Sequence, residues 1–395
     1  MLRRLVTQVS GIESGERKLL AASSCLQLAD GCVLVLRAAR CCHSAQEYDP
    51  DSYPLSSRAV VKDLPCGSRG RPQFTVPVPS SQFPVPCSQF SPNVPYTFYT
   101  ADVFTDTLFG GNQLGVLPDA RGLTTEQMLA ITREFNYSES TFVFPPENPK
   151  HTRRVRIFTP GGEIPFAGHP TVGTAHVLAA IGEVPLTGPE TRIVLEENVG
   201  PVTVLIRARD GKPDFAQLSV AMLPQVSQPP VSRAQLAEML SLDSADLLDG
   251  DYAPQTVSCG LPFLLVPLRD RKAVARSRLR LDPWEQSLRG TPSEMVMVFA
   301  ADAERPGSDI RARMYSPSVA VAEDPATGSA CACLAGYLAA RTPRDGTLKW
   351  VVEQGFEMGR PSILEIEADK NAGKITAVRV GGRTVLVSKG ELLGV

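Results

Sequence analysis

The chain has 395 residues, of which 43% are hydrophobic, 21% charged and 6% aromatic, and its 40 basic residues nearly balance its 42 acidic residues. This composition argues against a nucleic-acid-binding protein, because such proteins carry basic surfaces and aromatic side chains that stack on bases. The most apolar stretch, residues 19–36, contains several polar side chains, so we expect no membrane-spanning helix and no membrane partner.

Residues 1–95 differ in composition from the rest of the chain. They contain six of the nine cysteines, and frequent prolines in residues 72–95 prevent regular helix and sheet. We predict a disordered leader followed by a Pro-rich linker. A targeting role for the basic start is an alternative, although no apolar region with a cleavage site follows it.

Ordered structure is predicted to begin at Tyr96, where aromatic and β-branched residues form a strand pattern. Thr124 and Gln127 have the spacing of a capping box, so a helix should start after Thr124. Residues 136–144 return to a strand pattern, which places Glu139 where the helix gives way to a strand. A second helix is predicted over residues 232–242, which also have a capping-box start.

Strand patterns separated by turn signals dominate the rest of the chain. Strands are predicted at residues 114–117, 153–158, 191–196, 202–207, 262–266, 295–299, 311–315, 362–367, 374–380 and 384–388. Many strands with few, isolated helices indicate an α+β fold with a mainly antiparallel sheet. The sequence has neither a GxGxxG nor a GxxxxGK motif that would favour a nucleotide-binding fold.

Two parts of the chain resemble each other. Residues 156–160 (Arg-Ile-Phe-Thr-Pro) precede residues 168–175 (Gly-His-Pro-Thr-Val-Gly-Thr-Ala), and residues 313–317 (Arg-Met-Tyr-Ser-Pro) precede residues 323–330 (Glu-Asp-Pro-Ala-Thr-Gly-Ser-Ala). Each copy predicts a strand, a turn and a helix of small residues. The prolines suit the first helical position, so we expect His169 and Asp324 to be the helix caps.

Such a repeat has a chemical use. Two helix N-termini that face each other would bind an acid, because their unpaired N–H groups and positive dipole ends attract negative charge. We expect a cleft between two similar domains. Its lining should include His169, Thr174, Asp324 and Ser329, while Gly173 and Gly328 should let the substrate approach the backbone closely. The alternative is that both segments are ordinary capped core helices.

No metal site is predicted, because the sequence has four scattered histidines and neither a CxxC pair nor an HExxH motif. A hydrolase is also disfavoured, because the sequence has no GxSxG motif. The cysteine-poor region after residue 95 favours a cytoplasmic protein.

Six motifs occur in order along the chain: residues 102–104 (Asp-Val-Phe), 110–112 (Gly-Gly-Asn), 136–139 (Asn-Tyr-Ser-Glu), 168–171 (Gly-His-Pro-Thr), 323–329 (Glu-Asp-Pro-Ala-Thr-Gly-Ser) and 354–361 (Gln-Gly-Phe-Glu-Met-Gly-Arg-Pro). Together they resemble the phenazine-biosynthesis PhzF-like family over about residues 96–395. The resemblance implies a diaminopimelate-epimerase-like fold, in which two similar domains each wrap a mostly antiparallel, barrel-like sheet around a central helix. We expect an N-terminal half over 96–220, completed by 384–395, and a C-terminal half over 221–383, with the active site between them.

The resemblance also implies a chemistry. In the characterised family enzyme, trans-2,3-dihydro-3-hydroxyanthranilate isomerase, a Glu moves a proton between two carbons without a cofactor, and Glu139 is the matching residue. His169, Asp324 and Ser329 match the other active-site positions. A carboxylate can take a proton from carbon only if it is partly desolvated and the developing negative charge is stabilised. The family further implies a homodimer.

The leading hypothesis is therefore a cofactor-independent isomerase that moves a proton between carbons of a small carboxylate-bearing metabolite. An amino-acid or hydroxy-acid epimerase or racemase is an alternative, although inversion normally needs bases on both faces of the substrate. The racemases of this fold use two thiols at the helix starts, where we expect His169 and Asp324 here. A non-catalytic family member that binds a ligand or a protein is the third possibility.

Overall fold

The computed structural model describes residues 26–27, 33–34, 95–319 and 321–395. The predicted leader and linker therefore lie outside the described residues, except for two short antiparallel strands, β1 (Leu26–Gln27) and β2 (Val33–Leu34). The described residues from 95 onward belong to one compact unit. No helix in the described part of the chain is both long and apolar enough to cross a membrane.

Strands form most of this unit, as predicted. They are β3 (Tyr96–Val103), β4 (Asn112–Leu117), β5 (Glu139–Phe144), β6 (Arg153–Thr159), β7 (Gly162–Ile164), β8 (Glu190–Glu197), β9 (Gly200–Arg209), β10 (Lys212–Ser219), β11 (Gln225–Ser227), β12 (Gln255–Ser258), β13 (Pro262–Pro267), β14 (Val296–Ala300), β15 (Ile310–Ser316), β16 (Val321–Asp324), β17 (Gly346–Gln354), β18 (Ser362–Asn371), β19 (Lys374–Gly382) and β20 (Thr384–Leu392). The α-helices are α1 (Thr125–Phe135), α2 (Gly168–Ala180), α3 (Arg233–Met239), α4 (Arg271–Arg276), α5 (Leu281–Ser287) and α6 (Gly328–Arg341), with short 3₁₀ helices at Ser244–Asp246, Gly250–Tyr252, Pro317–Val319 and Phe356–Met358. The fold is thus mixed, with a large sheet and few helices.

Both predicted capping boxes are confirmed. The Thr124 hydroxyl accepts the backbone N–H of Gln127, whose side chain in turn accepts the backbone N–H of Thr124. Ser232 and Gln235 make the same reciprocal bonds at the start of α3. Helix α1 ends at Asn136, which adopts a left-handed conformation with φ of 53° and turns the chain toward β5.

The order of strand pairing occurs twice in the chain. In the first copy β3 pairs antiparallel with β4, β4 parallel with β5, β5 antiparallel with β6 and β6 parallel with β8, and β8, β9 and β10 then pair antiparallel in turn. Strands β12, β13, β14, β15, β17, β18 and β19 repeat this order with the same directions. A short hairpin strand, β7 or β16, precedes the long helix of each copy. The internal resemblance in sequence therefore reflects a duplicated topology.

The two copies share one continuous sheet. Strand β10 pairs with β19 of the other copy, and the last strand β20 pairs with β3. Because these pairings join the copies within one compact unit, the predicted boundaries of two separate domains remain a prediction.

Helices α2 and α6 lie inside the sheet. Nearly every residue of α2 is buried, and the buried residues of α6 include a run of alanines, cysteines and a glycine. Small side chains let strands pack closely on all sides of a central helix. Large apolar residues such as Val172 and Leu178 fill the remaining space, and each fully buried side chain of this size stabilises the fold by about 1.5–3 kcal/mol.

Candidate active site

The starts of α2 and α6 differ from the predicted ones. Their N-caps are Ala167 and Thr327, so the prediction that His169 and Asp324 are the caps is wrong. His169 is the second residue of α2, while Asp324 ends β16, four residues before α6. Pro170 is the third residue of α2, a position that tolerates proline because the N–H groups of the first turn have no partner within the helix. Pro325 precedes α6 by three residues, so the two prolines do not mark the same helical position.

The two helix starts lie against each other at a pair of glycines. A Cβ atom built on Gly168 would lie 2.8 Å from Cα of Gly328, and one built on Gly328 would lie 3.1 Å from Cα of Gly168. The helix N-termini therefore approach each other, as expected. However, Gly328 is required for contact between the helices, which differs from the predicted reason, close approach of a ligand.

Two of the predicted substrate contacts are wrong. A Cβ on Gly173 would lie 2.5 Å from Val103 and 2.6 Å from Leu114, so Gly173 allows α2 to pack against the core. The Thr174 hydroxyl is fully buried and lies 2.8 Å from the hydroxyl of Thr141. Both residues lie more than a turn beyond the start of α2 and face the interior, where they contact strands β3, β4 and β5.

Two ion pairs show which residues of the two copies of the repeat correspond to each other. Arg156 binds Glu163 across β6 and β7, and Arg313 binds Glu323 across β15 and β16. Glu163 and Glu323 each precede the first residue of the long helix by five positions. The predicted alignment of His169 with Asp324 is therefore wrong by five residues.

The correct register pairs the functional residues differently. His169 corresponds to Ser329, and Asp324 corresponds to Ile164. Because Phe142 pairs with Arg156 where Val298 pairs with Arg313, Glu139 corresponds to Met295. Strand pairing likewise matches Asn112 with Leu261. The fold and its Arg–Glu ion pairs are duplicated, but Asn112, Glu139 and Asp324 are matched by apolar residues.

Glu139 and His169 face each other. Glu139 is the first residue of β5, and its Oε2 lies 3.4 Å from Nε2 of His169. Their side chains are 17% and 4% exposed, and neither of these two atoms has a hydrogen-bond partner among the described residues. The pair is therefore free to share a proton.

Asn112 joins the two copies of the repeat beneath this pair. Its amide nitrogen donates to Oδ1 of Asp324 at 2.8 Å and to the carbonyl of Ala326 at 3.0 Å, and it lies 3.2 Å from Nδ1 of His169. Its carbonyl oxygen accepts the Ser138 hydroxyl at 3.0 Å. Since an amide nitrogen carries two protons, the two shorter contacts use both.

We assign the proton of the His169 ring to Nδ1, because both amide protons of Asn112 are used by shorter contacts. Nε2 has no hydrogen-bond partner among the described residues. The lone pair on Nε2 of the neutral ring then points at Glu139. His169 can therefore accept a hydrogen bond from protonated Glu139.

Asp324 is held on both sides. Its Oδ2 accepts a hydrogen bond from the hydroxyl of Thr327, and its Oδ1 accepts one from the amide nitrogen of Asn112. Gln354 donates to the backbone carbonyl of Asp324 at 2.8 Å and to the Thr327 hydroxyl at 3.0 Å, and it accepts the Thr327 backbone N–H. The segment that enters α6 is thus fixed by side chains.

Burial shifts the three titratable groups of the site. It raises the pKa of Glu139 to about 7 and lowers the pKa of His169 to about 4. Burial, together with the nearby charge of Glu139, raises the pKa of Asp324 to about 6. At neutral pH His169 is therefore neutral, and Glu139 is divided between its acid and base forms, which suits a group that takes and returns a proton.

A cavity of about 280 Å³ opens beside Glu139. Residues from both copies of the repeat line it. Of the predicted site residues, Glu139, Asp324 and Ser329 line the cavity, whereas His169 lies behind Glu139. Most of the remaining wall is apolar and includes Ile164, Phe166, Val202, Met222, Leu261, Phe263 and Met295.

Sequence reasoning named the motifs of Asn112, Gln354 and Arg360 but gave these residues no role. Arg360 binds Asp102 and the backbone carbonyls of residues 110 and 111, and so fixes the loop that carries Asn112. The signal was the position of these residues inside motifs 110–112 and 354–361. Asn112 and Arg360 act through contacts with residues 57 to 258 positions away, and Gln354 through contacts 27 and 30 positions away.

The described residues contain no group of three or more His, Cys, Asp or Glu side chains placed to hold a metal ion.

Comparisons with known proteins identify the family of the chain. Residues 101–390 match the family described as phenazine biosynthesis-like protein. An uncharacterized isomerase of Mesorhizobium japonicum is 40% identical over 296 residues, which cover 74% of this chain and 96% of that protein. The trans-2,3-dihydro-3-hydroxyanthranilate isomerase of Pseudomonas aeruginosa is 32% identical over 297 residues, which cover 75% of this chain and 99% of that protein.

Among solved structures, a PhzF-family phenazine biosynthesis protein of Bacillus anthracis is similar with a TM-score of 0.69 at 25% identity, over 76% of this chain and all of that chain. The names of the relatives support an isomerase or epimerase-like activity. The resemblance seen in the sequence motifs is confirmed, and the chain belongs to the phenazine biosynthesis-like protein family.

Proposed function

We propose that the protein is an isomerase that moves a proton between two carbons of a small carboxylate-bearing molecule, without a cofactor, and that Glu139 is its general base and acid. The observation that carries this proposal is a carboxyl group with a pKa of about 7 on the wall of a largely apolar cavity, next to a neutral histidine that can bind its protonated form.

Each residue has a defined part in this mechanism. Ionised Glu139 removes the proton from carbon, and His169 accepts a hydrogen bond from the acid that results. Negative charge then develops on the substrate. The two helix N-termini and the Ser329 hydroxyl supply positive dipole ends and a donor for this charge. Glu139 finally returns the proton to a second carbon.

The asymmetry of the repeat favours one base over two. The position that matches Glu139 carries Met295, and the position that matches Asp324 carries Ile164. Asp324 is the second carboxylate on the cavity wall, but both of its oxygens are bound by Asn112 and Thr327. With a single free base, the proton leaves and returns on the same face, as a shift within a conjugated system allows and an inversion does not.

The relative from Pseudomonas aeruginosa supplies the first substrate to test, trans-2,3-dihydro-3-hydroxyanthranilate. An apolar wall suits a ring of carbon atoms, because burial of apolar surface contributes about 25 cal/mol per Å². A panel of other small cyclic carboxylates should be tested beside it.

The experiment compares the wild type with Glu139→Gln and with a matched control, Glu134→Gln, on the exposed surface of α1. Proton NMR should show substrate conversion by the wild type and the control, and a loss of about 10²–10⁴-fold in Glu139→Gln. Calorimetry should show that Glu139→Gln still binds the substrate. Normal turnover by Glu139→Gln would mean that another group is the base.

A further inference from the structure

Strand β8 ends in two consecutive glutamates with different surroundings. Glu196 accepts the backbone N–H groups of Glu147 and Asn148, both at 2.7 Å, and lies 2.8 Å from Nδ1 of His151. Glu197 points inward and is 7% exposed, with its Oε1 2.6 Å from the hydroxyl of Thr171. Its Oε2 is buried and has no hydrogen-bond partner among the described residues.

A count of protons indicates the state of Glu197. The Thr171 hydroxyl lies 2.7 Å from the carbonyl of Ala167 and 2.6 Å from Oε1 of Glu197. A hydroxyl has one proton, and a backbone carbonyl can only accept. If Glu197 were ionised, one of these short contacts would join two acceptors. Both contacts are satisfied when Glu197 carries a proton and donates it to Thr171, which donates in turn to Ala167.

The second copy of the repeat has a neutral side chain at the same position. Glu196 corresponds to Glu353, which likewise accepts two backbone N–H groups, at 2.9 and 2.6 Å. Glu197 therefore corresponds to Gln354. Gln354 donates to the hydroxyl of Thr327 and holds the segment that enters α6. A protonated carboxyl resembles an amide in shape and in its ability to donate.

No charged group among the described residues compensates Glu197. Burial raises the pKa of Glu197 to about 8, while the hydrogen bond with Thr171 acts in the opposite direction. Most charged or titratable groups on the surrounding elements are engaged elsewhere: Glu190 with Arg207, Glu196 with His151, Arg153 with Glu183, Arg154 with Glu147, Arg156 with Glu163, Arg209 with Asp214, His169 with Glu139 and His176 with the charge of Asp214. Arg192, also on β8, is exposed, whereas Glu197 is buried.

We propose that Glu197 is protonated at neutral pH and donates a hydrogen bond to Thr171, and that it is a positioning residue for the first turn of α2. That turn carries His169, and its cap, Ala167, lines the cavity. Val199, two residues after Glu197, donates its backbone N–H to the carbonyl of Pro165, so the end of β8 supports the cavity wall directly. The inference does not depend on the identity of the substrate.

The test compares Glu197→Gln with the matched variant Glu196→Gln in the full chain. Glutamine can replace a protonated Glu197, but it cannot replace the charged acceptor Glu196. We expect Glu197→Gln to keep or increase the resistance to urea at pH 8, and Glu196→Gln to lose resistance throughout pH 5–8.

The pH dependence separates this proposal from a purely structural role. The folded-state pKa of Glu197 lies above its ordinary value of 4.5, so the folded protein binds the proton more tightly than the unfolded chain. Its contribution to stability is complete below about pH 4.5 and is lost as the pH rises to about 8. In this window the unfolding equilibrium constant of the wild type, divided by that of Glu197→Gln, should rise by up to about tenfold per pH unit. Glu196→Gln should keep the slope of the wild type.

Two spectra complete the test. The infrared difference between the wild type and Glu197→Gln at pH 7 should contain the band of a protonated carboxylic acid. With only four histidines in the chain, histidine NMR should show an unchanged His169 signal in Glu197→Gln and a shifted one in Glu197→Val. The proposal is overturned if the acid band is absent, or if Glu197→Gln loses as much stability as Glu196→Gln and keeps the slope of the wild type.

Discussion

Glu139 sets the pH dependence of the proposed reaction. It must be ionised to take a proton from carbon, and burial raises its pKa to about 7. We therefore expect kcat/KM to fall about tenfold per pH unit below pH 7 and to level off above it. His169, with a pKa lowered to about 4, should add no second limb between pH 5 and 8. A flat rate profile over pH 5–8 would contradict the role of Glu139.

Asn112 connects the two copies of the repeat at the candidate site. Asn112→Leu inserts the side chain found at the matching position, Leu261, and leaves Asp324 and Ser138 without their amide partner. We expect about 100-fold lower activity, because a displacement of reacting groups by about 1 Å has this effect. We also expect a loss of about 1–3 kcal/mol in the free energy of unfolding, from unpaired buried groups.

Asn371→Leu is the control for Asn112→Leu, because Asn371 is exposed at the end of β18. Turnover assays and urea unfolding should show little change in it. Activity near that of the wild type in Asn112→Leu would mean that Asn112 does not organise the site.

At the scale of elements, the contact between α2 and α6 depends on glycine. In Gly168→Ala the new methyl group would lie 2.8 Å from backbone atoms of α6, which cannot move independently of that helix. We expect a loss of about 1–3 kcal/mol in the free energy of unfolding, as for other overpacked contacts.

Gly161→Ala is the matched control, since its methyl group would meet only the Thr159 hydroxyl, at 3.5 Å. Urea unfolding measures both variants. Equal stability of Gly168→Ala and Gly161→Ala would show that the helix starts can separate.

The sequence predicted well those elements whose signals are local. The capping boxes at Thr124 and Ser232 involve residues three positions apart, and both helices begin where expected. The starts of α2 and α6 were misplaced, because prolines in the repeat gave a plausible alignment that was five residues out of register. Only the ion pairs of Arg156 and Arg313, formed between strands, define the true register.

The candidate site was predicted only in part, because its motifs are local but several of its contacts join residues far apart in the chain. The motifs and the family resemblance identified Glu139, Asp324 and Ser329, which line the cavity. The role of Asn112 could not be derived from sequence, since its partners His169 and Asp324 lie 57 and 212 positions away. Gly173 and Thr174 have the residue types of a ligand site, but the turn of the helix directs them into the core.

At the scale of the whole molecule, the relatives indicate which part of the chain forms the enzyme. The Mesorhizobium japonicum relative matches 74% of this chain but 96% of its own length. We therefore expect deletion of residues 1–95 to leave a folded protein with the same thermal unfolding midpoint and the same activity. Calorimetry and turnover assays on the shortened and full chains check this. A midpoint lower by several degrees would mean that the first 95 residues stabilise the unit.

The duplicated fold bears on the proposed single base. The two copies bring two helix starts together, and Met295 occupies the position that matches Glu139. Among the described residues that line the cavity, Glu139 is the carboxylate that keeps an oxygen without a hydrogen-bond partner. The most direct measurement is deuterium incorporation from D₂O into trans-2,3-dihydro-3-hydroxyanthranilate, or into the panel compound that is converted, followed by NMR. We predict deuterium on one face of the product, lost in Glu139→Gln and retained in Glu134→Gln. Deuterium on both faces, or exchange by Glu139→Gln at the rate of the wild type, would contradict the one-base account.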